Sequence, residues 1–139
     1  MSLVLDSSAT LAWIYSDETT EALHRLFDRV AEDGAVVPAL WRLEVANSLT
    51  AAVRRGRIDA DFRRAALADL ALLDIRTDPG TDTHAWTGTL ELADRFGLTV
   101  YDAAYLELAR RRALPLASLD GDLLTAAAHL PVGTLDISP

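Results

Sequence analysis

The chain has no cysteine and no lysine. The first absence excludes disulfides and thiolate-ligated metals. The second leaves arginine to carry all 13 basic charges. Long apolar runs are missing too: nothing approaches the roughly 18 residues that a bilayer-crossing helix needs. The opening Met-Ser-Leu-Val-Leu-Asp has neither the basic flank nor the apolar length of a signal peptide. A cytoplasmic protein without membrane contact is the expectation. His24, His84 and His129 are scattered with no paired ligand spacing, so they read as surface or helix residues rather than zinc ligands. No internal repeat, low-complexity tract or long linker interrupts the 139 residues, and a single domain over 1–139 is expected.

Positive charge is scarce overall. The net charge of −8 argues against a nucleic-acid partner, because phosphate contacts usually need a basic surface. Net charge averages over the whole molecule, however, and the arginines cluster: Arg54, Arg55, Arg57, Arg63 and Arg64 form one group, Arg110, Arg111 and Arg112 another. Such runs are commonly solvated helix ends, where cations complement the helix dipole. They are also planar forks able to grip phosphate in two hydrogen bonds.

What is present is an alternation of short apolar runs with helical patterns. Leu3–Leu5, Ala35–Val37, Leu73–Arg76 and Leu116–Leu119 read as strands, with Thr134–Ile137 as a last edge strand. Helices are expected over 9–15 (capped by Ser7 and Ser8), 18–33, 40–55, 60–73, 84–96, 102–113 and 123–129. Strands alternating with helices predict an α/β fold with a mostly parallel central sheet covered on both faces.

Four acids stand in apolar company. Asp6 is the only charge in the first sixteen residues and ends the opening strand; Asp120 has the same relation to Leu116–Leu119. Ligands of open parallel sheets bind beyond the carboxyl ends of the strands, so two such acids can converge. Glu44 sits in a helical stretch, 40–53, whose only other charge is Arg42. Asp102 begins the helix that follows Leu98–Tyr101, where the dipole favours a carboxylate. Each alone could be a strand end or a helix cap. Together they would be costly to bury without compensation, and carboxylate oxygens are the preferred donors of Mg²⁺ or Mn²⁺.

These residues fall in segments that resemble the PIN domain of the VapC type, the toxin half of bacterial toxin–antitoxin pairs. Leu-Val-Leu-Asp-Ser-Ser is similar to its first acidic motif, with Asp6 and the supporting Ser8. Val-Pro-Ala-Leu-Trp-Arg-Leu-Glu-Val-Ala-Asn-Ser-Leu is similar to the second, with Glu44 and Asn47. Leu-Thr-Val-Tyr-Asp-Ala-Ala-Tyr-Leu-Glu-Leu-Ala is similar to the third at Asp102, and Leu-Pro-Leu-Ala-Ser-Leu-Asp-Gly-Asp-Leu to the fourth at Ser118 and Asp120. The resemblance runs across nearly the whole chain. It implies a three-layer α/β/α sandwich and Mg²⁺- or Mn²⁺-dependent RNA cleavage. It further implies a homodimer and inhibition by a cognate VapB-type antitoxin whose C-terminal segment blocks the acidic groove. On that reading Asp6, Asp102 and Asp120 hold the metal, Glu44 completes the catalytic set, and Ser8, Asn47 and Ser118 orient carboxylates. Arg54, Arg55, Arg57, Arg110 and Arg111 are then candidates for the RNA backbone, the substrate being a tRNA or another structured RNA with an exposed loop. Asp122 is either a further ligand or, as is commoner for aspartate at a helix start, a cap.

Two other readings compete. A haloacid-dehalogenase-like phosphatase also puts aspartates at strand ends, but it uses a basic residue, commonly lysine, at the phosphate and a second aspartate where this chain has Ser8. A catalytically silent interaction module of the same fold is the other, and the presence of all four acids speaks against it.

Overall fold

The computed structural model describes residues 1–138. Four short strands, β1 (Val4–Leu5), β2 (Ala35–Val37), β3 (Ile75–Thr77) and β4 (Leu116–Ala117), form one parallel sheet in the order β3-β2-β1-β4. Eight helices surround it: α1 (Ser7–Ile14), α2 (Glu21–Asp33), α3 (Trp41–Arg54), α4 (Ala60–Ala71), α5 (Thr81–His84), α6 (Gly88–Phe96), α7 (Val100–Arg112) and α8 (Gly121–Ala127). The architecture is the expected α/β sandwich on a parallel sheet. Val4, Leu5, Val36, Val37, Leu116 and Ala117 are all buried, as strands covered on both faces must be.

The helices follow their apolar spacing. In α2, Leu23, Leu26, Phe27 and Val30 face inward, and Phe27 stacks on Trp13 of α1 with ring centroids 4.2 Å apart. In α3 the buried stripe is Trp41, Val45, Leu49 and Ala52. Every residue of α7 from Ala103 to Ala109 is buried, which marks it as the helix at the centre of the molecule. Gly34 ends α2 at φ +76°, and a Cβ there would lie 2.9 Å from the carbonyl oxygen of Asp74, so only glycine fits the turn into β2.

Several expected boundaries move. The helix expected over 84–96 is two helices broken around an exposed Trp86, and the expected strand at 134–137 contracts to a single bridge between Thr134 and Leu116. The third strand starts at Ile75 rather than Leu73, and α2 starts after Thr20, whose hydroxyl accepts from the Leu23 amide. No helix of the described residues is long and apolar enough to cross a membrane.

The strand order places the site. From β1 the chain steps outward to β2 and β3, then returns to the other side of β1 for β4. The direction of winding therefore reverses between β1 and β4, and the crevice beyond the carboxyl ends of two such strands is where open α/β sheets bind ligands.

Candidate active site

Pairing of Leu5 with Ala117 makes Asp6 and Ser118 the next residues across the two central strands. The Asp6 amide donates to the Ala117 carbonyl at 3.0 Å, and the Ser118 hydroxyl donates to Asp6 Oδ2 at 2.7 Å. Ser8, in the first turn of α1, donates to the same Oδ2 at 2.7 Å. Each hydroxyl oxygen also accepts a backbone N–H, Ser8 from Leu119 at 2.9 Å and Ser118 from Asp120 at 3.0 Å. Both hydrogens are thereby aimed at Asp6, and Oδ1 is left outside the clamp. Thr10 donates to the Asp6 carbonyl and accepts from Trp41 Nε1, both at 3.1 Å, which ties the Asp6 backbone to α3.

Asp6 occupies the residue before α1, yet its side chain does not cap that helix. Asp102 is likewise released from capping. Thr99 does that work, its hydroxyl accepting from the Asp102 amide at 3.1 Å, so the Asp102 carboxylate projects from the first turn of α7. At α8 the cap is Asp120, whose Oδ1 accepts from the Leu123 amide at 3.1 Å. The expectation that Asp122 caps α8 is therefore corrected: the cap must precede the first helical residue, Gly121, and Asp122 lies inside the first turn, exposed.

Glu44 is half-buried and is held by a residue that the sequence reading did not single out. Tyr105, fully buried in α7, donates its hydroxyl to Glu44 Oε1 at 2.6 Å. The signal was present, since a tyrosine inside a buried apolar helix must find a partner for its O–H. Asn47, by contrast, is exposed on α3, and among the described residues it makes no side-chain hydrogen bond to a carboxylate.

The four acids repel one another. Burial pushes the Asp6 carboxyl above its ordinary value and the charge of Asp120 adds to the rise, against the opposing hydroxyl bonds. Glu44 is raised by burial and by Asp6 and Asp102, the Tyr105 bond working the other way. Asp102 is raised by burial, then by Asp120, Asp6 and Asp122. Tyr105 is pushed far up by burial and by Glu44, so it stays a donor. Among the described residues no arginine, histidine or amino terminus forms an ion pair with any of the four.

A second buried acidic group shows what compensation looks like in the same molecule. Asp78, at the end of β3, and Glu107 of α7 are both buried and both bind Arg111, at 2.5 Å and 2.7 Å, with Arg112 3.4 Å from Asp78. Burial would raise Asp78, but Arg111 holds it below its ordinary value. The Asp6 group has no such internal cation. Its donors are all carboxylate oxygens, the chemistry that hard divalent ions prefer. The arrangement is open: among the described residues no three acidic or histidine side chains close into a chelate.

The candidate arginines divide. Arg57 is engaged by Asp17 and Glu18 and lies 3.8 Å over the Tyr15 ring, and Arg111 is committed to Asp78 and Glu107. Arg54, Arg55 and Arg110 form no ion pair among the described residues.

Residues 3–129 match the family model described as PIN domain. Ribonuclease VapC3 of Pyrobaculum aerophilum is 32% identical over 123 residues, covering 88% of this chain and 92% of that one. The crystal structure of PAE2754 from the same organism superposes with a TM-score of 0.71 at 24% identity, covering 98% of this chain and 85% of that one. VapBC2 from Rickettsia felis, solved bound to a DNA fragment from their promoter, gives 0.64 at 12% identity over 96% of this chain and 97% of that one. Mycobacterium tuberculosis VapC20, described as a sarcin-ricin loop cleaving toxin, gives 0.62 at 19% identity over 89% and 94%. The three structural likenesses show the shared fold.

Proposed function

The chain belongs to the PIN-domain family, and on that footing we propose that it is a Mg²⁺- or Mn²⁺-dependent endoribonuclease acting as a VapC-type toxin. The observation that carries the reading is the contrast between two buried acidic groups, one neutralised by Arg111 and the other left with no cation of its own. A nearby relative named a ribonuclease agrees with it.

A bound divalent cation supplies polarisation of the scissile phosphate and a lowered pKa for the attacking water. Asp6, Asp102 and Asp120 would hold it. Ser8 and Ser118 fix the Asp6 carboxylate by both hydroxyls, so its orientation is set before any ligand arrives. Tyr105 occupies Glu44 Oε1 and leaves Oε2 to accept the proton of the attacking water. The phosphatase alternative is disfavoured, since among the described residues no cation pairs with Asp6. A VapB-type antitoxin is the proposed partner, as the name of the Rickettsia complex suggests for its own pair. A homodimer is proposed on the exposed Leu43, Val100 and Tyr101, apolar side chains clustered beside the acids. The substrate class is a structured RNA with an exposed loop, tRNA included.

Purified protein should cut RNA with Mg²⁺ or Mn²⁺ and stop on chelation; cleavage persisting in a chelator would sink the metal-dependent reading. Tyr105→Phe tests the Glu44 assignment. Loss of the bond that lowers Glu44 moves the acid limb of the pH–rate profile to higher pH. It should also cut kcat about tenfold with little change in KM, the order expected for a hydrogen bond to a charged group. An unshifted profile would remove Glu44 from the proton-transfer role.

A further inference from the structure

We infer that the groove between α1 and α3 is a subsite for the backbone of single-stranded RNA flanking the cleaved bond, with Arg55, and not Arg57, as its phosphate contact. The inference rests on the ribonuclease reading and adds to it a location, a polarity of charge and one named residue.

The groove has a volume of about 480 Å³ and reaches the acids through the residues that hold Asp6. Ser8, which clamps Asp6, and Leu119, whose amide donates to Ser8, line its inner end. On the α3 wall Asn47 and Ala51, together with Arg55 at the C-terminal cap of the helix, recur every four residues and so share one face. Leu11 and Ala12 of α1, and Tyr15 just after its end, face them. From Asn47 to Arg55 is eight residues, about 12 Å of helix axis, a stretch that a few nucleotides can follow. Small apolar side chains alternate with Asn47 and Ser48, which offer donor and acceptor groups, and this suits tracking of sugar and phosphate with weak base preference.

Charge decides which end holds phosphate. Arg55 is exposed and unpaired among the described residues. Arg57, two residues on, is already neutralised by Asp17 and Glu18 and laid over Tyr15. The neighbouring cavity of about 670 Å³ is lined by Asp17, Arg57 and Asp59, so Arg57 is shared between two acidic neighbours and this second cavity. Glu18 lines the groove as well, but it is bound to Arg57, so among the described residues Arg55 is the groove cation left unpaired and open to an anionic strand. On a protein of net charge −8, local cations of this kind must supply the attraction.

The test is fluorescence anisotropy with a fluorescein-labelled single-stranded RNA of random sequence, using protein carrying Asp6→Asn so that cleavage is off. Adding Arg55→Ala should weaken binding about tenfold, as for loss of a hydrogen bond to a charged group. The slope of log affinity against log salt should shrink by about 0.7, one phosphate contact on a single strand. Arg57→Ala, or Arg57→Lys if the alanine variant does not fold, should stay within about twofold. Equal binding with and without Arg55, or an equal loss from either arginine, overturns the assignment. Failure of the ribonuclease reading looks different: RNA bound through Arg55 yet left intact by the parent protein with Mg²⁺.

Discussion

Asp6→Asn is expected to abolish RNA cleavage, by about a thousandfold or more, while leaving the metal-free protein as stable as the parent or more so at neutral pH. The two halves follow from one cause. The Asp6 carboxylate is buried, repelled by Asp120 and unpaired with any cation, so its charge opposes folding. Asparagine keeps an oxygen for the Ser8 and Ser118 hydroxyls and removes the charge. Asp102→Asn should behave alike in cleavage, and more mildly in stability because Asp102 is less buried. The pH dependence has a definite sign. Asp6, Glu44 and Asp102 are all raised, from ordinary values of 3.8, 4.5 and 3.8, so the folded chain binds protons more tightly than the unfolded one. Their contribution to stability is full below those values and is lost as pH climbs through the raised ones. Thermal melts across pH should show that decline in the parent and a shallower one in Asp6→Asn. A cleaving Asp6→Asn protein, or one melting well below the parent at neutral pH without metal, contradicts the account.

Arg111→Met should have the opposite character: little to do with chemistry, and severe for the fold. Arg111 is shielded to 27% side-chain exposure and serves two buried carboxylates at once, Asp78 on the β3 side and Glu107 in α7. Removing it leaves both charges buried without their main partner, a loss of about 3–5 kcal/mol. For a chain of this size that lowers the melting temperature by roughly 10 °C or more. The pH signature is also inverted. Asp78 is held low by Arg111, so its contribution is present above 3.8 and lost as pH falls through the lowered value; the variant should lose that acid sensitivity. Adding both Asp78→Asn and Glu107→Gln to Arg111→Met should recover much of the stability. A melting temperature within a degree or two of the parent would show that the network is ornamental.

The comparison of these two groups also explains what the sequence could disclose. Asp6 and Asp120 were legible because a carboxylate after an apolar strand is a local pattern, and strand order then brings the two together as a candidate site at the reversal between β1 and β4. The resemblance carried Glu44, Asp102, Ser8 and Ser118 to the same place. Side-chain partnership was less legible, because partners are distant along the chain. Arg57 and Arg111 sat in arginine runs that looked equally available, and nothing local announced Asp17 and Glu18 for one or Asp78 for the other. Capping was misassigned between Asp120 and Asp122 because both are aspartates at one helix start; the boundary at Gly121 decides it. Tyr105 was hidden by its own motif, where it reads as one more apolar residue until its hydroxyl is asked for a partner.

The central claim is that the acids around Asp6 lack an internal cation because a divalent ion takes that place. Calorimetric titration of Mn²⁺ into the parent and into Asp6→Asn at neutral pH tests it most directly. Saturable binding to the parent, with proton release as the raised carboxyls ionise and with loss of that binding in Asp6→Asn, is the predicted result. Absence of binding to the parent, or undiminished binding to Asp6→Asn, would contradict it.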